Sequence, residues 1–307
     1  MKMYKLRNSI ASWSRSTPYF RGKRRLGKSL GHILTNFNSD RECLSNVRMQ
    51  NETWMQLDVR SRTEQWSYWT GYYDDDIINK LSNCLKEKCV VFDIGANIGF
   101  YSVALGYKLQ TLNGQLYAFE PVKSNFDRLT TNISLNNLEK TILPHKIALG
   151  DDESTIEMSM ENVNNSMTGN AVMVRGKIPS NYFGINSQAR LTRLDTFVQE
   201  QNIKNCHLIK IDVEGAEVMF LRGGVSFLSQ TRPIIYGEFN NYFLPKFGSS
   251  FLDVVNIVSP WDYRFFKQNK FGQFIEIEEP QPRLEHVLLT PSETSNSILN
   301  QLGVIEK

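Results

Sequence analysis

Cysteine is scarce in this chain and badly spaced for structural work. Cys43, Cys84, Cys89 and Cys206 form no C-x-x-C pair. That excludes a disulfide framework and a cysteine zinc site, and predicts reduced thiols in a cytosolic protein with no required metal. No apolar run approaches the ~18–20 residues of a membrane span. No apolar stretch follows the basic N-terminus, so a secretory leader is not expected there. No internal repeat is visible. Acid is missing from the first 39 residues, which hold nine Lys/Arg and several serines. Taking those nine from 35 Lys/Arg leaves 26 against 32 Asp/Glu, a balance of −6 for the remainder. The body therefore lacks the basic surplus that a nucleic-acid substrate calls for.

Three readings of residues 1–39 stay open. They are a basic arm packed on the domain, a contact with an anionic membrane surface or glycan intermediate, and an organelle transit peptide. At 307 residues the chain has room for one large domain with an appendage. The expected division is 1–85 as basic arm and aromatic-rich lead-in, 86–295 as the main domain, and 296–307 as a tail.

What is present centres on Cys89 to Tyr101, CVVFDIGANIGFY. Apolar residues run into Asp93, a Gly-bearing turn follows, and a helix-compatible run begins at Phe100. This is strand, tight turn, helix, the way an open α/β sheet builds a ligand site at the carboxyl end of a strand. Gly95 lets the backbone turn and lie against a ligand, and Gly99 is expected to let the helix pack close to the sheet. The spacing is G-x-x-x-G, without the third glycine of a dinucleotide fingerprint. Asp93, two residues before Gly95, would repel a pyrophosphate and suit a positively charged ligand end. S-adenosylmethionine carries a sulfonium and an ammonium there. The turn thus favours a methyl donor over NAD.

From Cys89 onward strands and helices alternate, which predicts βαβ units and a mostly parallel sheet. Strands are expected at 90–94, 115–119, 142–149, 207–212 and 233–238. Helices are expected at 74–85, 99–109, 124–136 (capped by Ser124), 196–201 (capped by Asp195), 216–221 and 250–258. The last strands, 263–268, 274–278 and 286–290, have no helix between them and should be antiparallel. Residues 151–190, rich in Asn, Ser, Gly and Met, break the rhythm and read as an active-site lid or a surface hairpin. The aromatic cluster Trp54, Trp66, Tyr68, Trp69, Tyr72 and Tyr73 either packs the lead-in onto the sheet or walls an acceptor pocket.

Five stretches occur in order: FDIGANIG, LYAFEPVKSNFDRL-x-x-N, IALGD, LIKIDVEGAEVMFLRGG and PIIYGEF. Together they resemble the FkbM family of S-adenosylmethionine-dependent methyltransferases, over roughly residues 70–240. The resemblance implies a Rossmann-like class I methyltransferase fold, with a mostly parallel seven-stranded sheet and a terminal antiparallel strand. It implies an O-methyltransferase acting on a sugar, glycan precursor or natural-product hydroxyl.

The donor would be lined by Asp93, Gly95, Ala96, Asn97 and Gly99 at its methionine end. Glu120 would accept hydrogen bonds from both ribose hydroxyls. Ala148, Leu149 or Asp151 would border the adenine. Asp212 and Glu214 end a strand facing the crevice. Glu214 is expected to be the base that takes the proton from the attacking hydroxyl, with Asp212 holding donor or acceptor and Glu238 the rival base. Glu217 is expected to face off its helix, and His145 and His207 to be core residues. An NAD-dependent oxidoreductase and a non-catalytic binding protein on the same sheet remain the alternatives.

Overall fold

The computed structural model describes residues 3–17, 43–160, 171–174, 187–277 and 286–305. The lead-in begins with helix α1 (Met3–Ser16). A hairpin follows, β1 (Leu44–Arg48) antiparallel to β2 (Trp54–Asp58), and then helices α2 (Arg62–Thr70) and α3 (Asp75–Asn83). It is not a separate unit. Ala11, Val47, Met55 and Trp69 share one buried cluster with Val91, Leu105 and Leu129 of the main domain. Arg7 is buried and donates to the hydroxyl of Tyr68 and to Ser45, and Arg15 donates to the Tyr68 carbonyl. Two of the nine basic residues thus hold the arm down. The rest of the arm, 18–39, lies outside the described residues.

The main domain runs β3 (Val90–Ile94), α4 (Phe100–Thr111), β4 (Gln115–Phe119), α5 (Lys123–Leu135) and β5 (Ile142–His145). Four short strands follow: β6 (Ala148–Gly150), β7 (Ser154–Met160), β8 (Ala171–Met173) and β9 (Ser187–Arg193). Then come α6 (Leu194–Glu200), β10 (Leu208–Ile211), α7 (Glu217–Gly223), α8 (Val225–Thr231), β11 (Ile234–Glu238) and α9 (Phe251–Val258). The chain ends with β12 (Tyr263–Gln268), β13 (Phe274–Glu276), β14 (His286–Pro291), α10 (Asn296–Gln301) and β15 (Val304–Ile305).

The central sheet has the order β15-β13-β12-β14-β11-β10-β3-β4-β5 among the described residues. The strands from β5 to β11 are parallel, and β14 is antiparallel to both β11 and β12. Strand β12 therefore points the same way as the five, with one antiparallel strand inserted beside it. That is the expected seven-stranded class I methyltransferase sheet. Two short edge strands, β13 and β15, extend it to nine. Residues beyond 295 form α10 and β15 rather than a tail, because β15 adds to the edge at β13. Successive strand residues face opposite sides. Val91 enters the core under α4 and the lead-in, and Phe92 the core under α6 to α9.

Local expectations failed in instructive ways. The strand expected over 142–149 splits at Lys146-Ile147, and β6 leaves the central sheet to pair with β9. Ser124 does not cap α5, which already begins at Lys123 after Val122. Asp195 lies inside the first turn of α6 and instead caps α8, accepting from the N–H groups of Ser226 and Phe227 at 3.2 and 2.8 Å. Gly99 packs α4 against α5 rather than against the sheet, since a Cβ there would lie 2.6 Å from Leu129.

Candidate active site

Above the carboxyl ends of β3, β4 and β10 lies a cleft that opens to solvent. Its floor is the Ile94–Ile98 turn. Gly95 has φ +79°, and a Cβ there would sit 2.0 Å from the carbonyl oxygen of Asp212. The loops after β3 and β10 are pressed together at a point that only glycine allows. Asn97 also lies in the left-handed region, at φ +51°.

Against the floor lies a charged triad, of which Lys210 and Asp212 line the cleft and Asp93 does not. Lys210 and Asp93 are cross-strand neighbours on β10 and β3. The Lys210 ammonium sits 3.6 Å from carboxylate oxygens of both Asp93 and Asp212, donates to the Gly95 carbonyl at 3.2 Å, and lies over the Tyr101 ring. Burial alone would lower its pKa, but the two carboxylates outweigh that and hold it above its ordinary value. Asp93 is fully buried and also accepts from Ser102 at 2.5 Å. Burial pushes its carboxyl up, against the pull of Lys210 and Ser102. Asp93 thus supports the floor from beneath, where the expectation had it lining the cleft; a carboxylate can be buried there because the lysine is its partner.

Glu120 lines the cleft at the end of β4. Its two oxygens accept from the N–H groups of Asn97 and Val122, each at 2.9 Å. One lone pair of each oxygen is thereby committed, and the carboxyl is locked in orientation. Burial raises its pKa to about 7, with those hydrogen bonds and one from Asn125 opposing. Asn125 also lines the cleft, and its Oδ1 has no hydrogen-bond partner among the described residues.

The opposite wall is apolar. Ile147, Ala148 and Leu149 come from the β5–β6 junction, and Met158 and Met173 from β7 and β8. The 151–190 stretch, expected to be a lid or a surface hairpin, contributes β7, β8 and the start of β9 to a small sheet of order β6-β9-β7-β8; its residues 161–170 and 175–186 lie outside the described residues. Asp151 follows β6 but does not line the cleft. Thr63 and Glu64 of α2 close one side, and Glu64 is held by Arg128 at 2.5 Å. Of the aromatic cluster only Tyr73 lines the cleft, stacked on Phe100 with ring centres 3.8 Å apart. Tyr68 and Trp69 are buried in the lead-in core.

Asp212 and Glu214 line the cleft beyond Gly95. Glu214 has φ +53°, and burial followed by the charges of Asp212, Glu238 and Glu217 raises its carboxyl to about 8. Glu238 ends β11 outside the lining, 3.4 Å from the amide of Asn240. Its pKa is raised by burial and by Asp212. Glu217 is fully buried, correcting the expectation that it faces off the helix. His145 packs among Phe119, Tyr117 and Phe197, and His207 accepts from the Val90 N–H, so neither reaches the cleft. All four cysteines are free and buried, and no cluster of metal-ligating side chains occurs among the described residues. No helix among those residues is long and apolar enough to cross a membrane.

Comparison with known proteins bears on this arrangement. The sequence profile of the methyltransferase FkbM domain matches residues 93–265, more than half of the chain. The chain belongs to the FkbM methyltransferase family. Hexuronic acid methyltransferase AglP of Haloferax volcanii is 25% identical over 177 residues, covering 58% of this chain and 67% of that protein. Methyltransferase sdnD of Sordaria araneosa is 28% identical over 170 residues, covering 48% and 63%. The aligned regions thus leave about a third of these relatives' length unmatched. A crystal structure of methyltransferase FkbM from Methylobacillus flagellatus is 17% identical, covers 66% of this chain and 43% of that one, and superposes with a TM-score of 0.41.

Lys210 and Asn125 were not singled out by sequence, and Glu217 was read only as facing off its helix. For Lys210 a signal existed: a lysine in the middle of a four-residue, wholly buried strand needs a buried partner.

Proposed function

We propose that this chain, a methyltransferase by its family, takes the methyl group from S-adenosylmethionine and delivers it to a hydroxyl of a sugar, a glycan precursor or a related small molecule. The observation that carries the donor assignment is the polarity of the cleft. One side is flat and apolar (Ile147, Ala148, Leu149, Met158), and the other gathers Glu120, Asp212 and Glu214 around one committed lysine. A molecule with an aromatic base at one end and positive charge at the other fits this distribution. A pyrophosphate would meet carboxylates at the turn, so the cleft does not favour NAD. The sugar acceptor is supported by the relative named for hexuronic acid.

In this reading Glu120 uses its remaining lone pairs for the ribose hydroxyls, and the Gly95–Asn97 backbone borders the methionine end. S-adenosylmethionine supplies an electrophilic methyl on a positively charged sulfur. The protein's part is to align the hydroxyl and take its proton. Glu214 is assigned as that base. Its carboxyl, raised to about 8 in the free protein, falls when positive charge enters beside it, which makes the carboxylate available near neutral pH. Asp212, tethered by Lys210, orients the reactants, and Glu238 lies behind as the rival base.

Calorimetry tests the donor assignment. S-adenosylmethionine and S-adenosylhomocysteine should bind at micromolar affinity and NAD should not. Glu120→Ala should weaken both by about 10- to 100-fold, the worth of one or two hydrogen bonds to a charged group. NAD binding in place of the other two would overturn the assignment. Release of S-adenosylhomocysteine on a panel of uronic-acid and neutral glycosides then tests the acceptor. Glu214→Gln should abolish that turnover while donor affinity holds.

A further inference from the structure

Glu217 opens α7, where an acid is ordinarily explained by the positive end of the helix. Its surroundings ask for more. The side chain is fully buried, and Oε1 turns back to accept from the N–H of Val213 at 3.2 Å and of Gly215 at 3.1 Å. Those amides flank Glu214 on either side. Oε2 has no hydrogen-bond partner among the described residues. Burying a carboxyl this deeply is unfavourable unless it does something there.

The turn it grips is strained. Glu214 sits at φ +53°, in the left-handed region that a residue with a Cβ rarely adopts. Gly215 follows at φ +105°, and a Cβ on it would meet the Phe243 backbone at 2.8 Å. The main chain at Val213–Gly215 is therefore pinned from two sides, by Phe243 outside and by Glu217 inside.

We propose that Glu217 is a positioning residue, a clamp that fixes the Val213–Gly215 turn and so aims the Glu214 carboxyl into the cleft. The proposal rests on the reading of Glu214 as the base. It has an electrostatic side as well. The groups that face Glu214 are Asp212, Glu238, Glu217 and Lys210, and those that face Glu217 include Asp212. Burial raises the Glu217 carboxyl too, and its negative charge, once present, raises that of Glu214. Removing its charge while keeping its oxygen should let Glu214 ionise at lower pH.

Two measurements that need no acceptor test this. The first is amide hydrogen exchange at Val213 and Gly215. The second is the ratio of affinities for S-adenosylmethionine and S-adenosylhomocysteine from pH 6 to 9. Their charge differs at the sulfur, so the preference for the cation should grow as Glu214 ionises. In Glu217→Gln the amides should stay protected, because the carbonyl oxygen accepts the same two bonds, and the midpoint of the preference should move to lower pH. In Glu217→Ala exchange at both amides should rise at least tenfold and the pH-dependent preference should flatten. S-adenosylhomocysteine affinity should stay within threefold, since the Glu120 end is untouched.

Wild-type exchange in Glu217→Ala would overturn the clamp. If that variant does not fold, Glu217→Met fills much the same volume without an acceptor, and wild-type exchange at both amides in it would overturn the clamp. Failure of the Glu214 reading looks different: Glu214→Gln would keep the pH-dependent preference while Glu217→Ala still loses amide protection.

Discussion

The two sides of the cleft are built on different physics. The floor is charged. Asp93, Lys210, Asp212, Ser102 and the Gly95 carbonyl hold one another, and Glu120 is locked by two backbone amides. The wall is apolar, made of Ile147, Ala148, Leu149, Met158 and Met173, with no titratable group among them. Low-dielectric surroundings make an unpaired floor charge expensive, whereas a wall residue can be exchanged for another of similar volume. The floor should therefore fail sharply and with pH, and the wall gently and without it.

The largest effect should come from breaking the floor. Lys210→Met leaves Asp93 buried without its cation and should destabilise the fold by about 3–5 kcal/mol, read from denaturant unfolding. A loss under 1 kcal/mol would mean that Asp93 carries no charge worth pairing. The next effect is pH. Glu120, Glu214 and Glu217 are all raised above 4.5 in the fold, to about 7, 8 and 7. The unfolded chain gives up those protons first, so the contribution of these three groups to stability is full below pH 4.5 and is lost as pH rises through 7 and 8. For Glu120 alone the shift corresponds to a loss on the order of 3 kcal/mol. The ligand-free protein should melt at progressively lower temperature from pH 5 to 8, and S-adenosylmethionine should restore more stability at pH 8 than S-adenosylhomocysteine does. A flat melting profile would contradict the buried acids. The smallest effect belongs to the wall: Met158→Leu should cost less than about 1.5 kcal/mol and leave the slope with pH unchanged.

The same contrast explains what could be read in advance. The floor is local in sequence. Asp93 to Gly99 is one strand, one turn and one helix start, so its residue types and spacing reveal it. The strand pattern also carried the central sheet, because short apolar runs such as Val90–Phe92, closed by a turn, fit a strand covered on both faces. The wall is not local. Met158 and Met173 meet Ala148 only through pairings among β6, β7, β8 and β9, and no period in a short Met- and Ser-rich stretch specifies them. Glu217 escaped because an acid in the first turn of a helix has an adequate explanation in solvent. Its burial follows from the turn folding back over it, a tertiary fact. Asp195 was misassigned for a similar reason: it does cap a helix, but that helix is α8, whose existence the paired glycines Gly223 and Gly224 concealed.

Strand β14 sets a timetable. It lies between β11 and β12, yet it is made after both, and it falls outside the 93–265 stretch that the family profile matches. When synthesis reaches Gln268, β12 has been made but its place beside β11 is separated from it by a strand that does not yet exist. The sheet is completed only when His286–Pro291 emerges and slots between them. A fragment cut to the matched stretch would leave β11 with one bare edge and β12 with none of its partners. Unpaired strand edges of this kind can seek a neighbour in another chain. The strand His286–Pro291 is thus what joins β12 to the parallel strands.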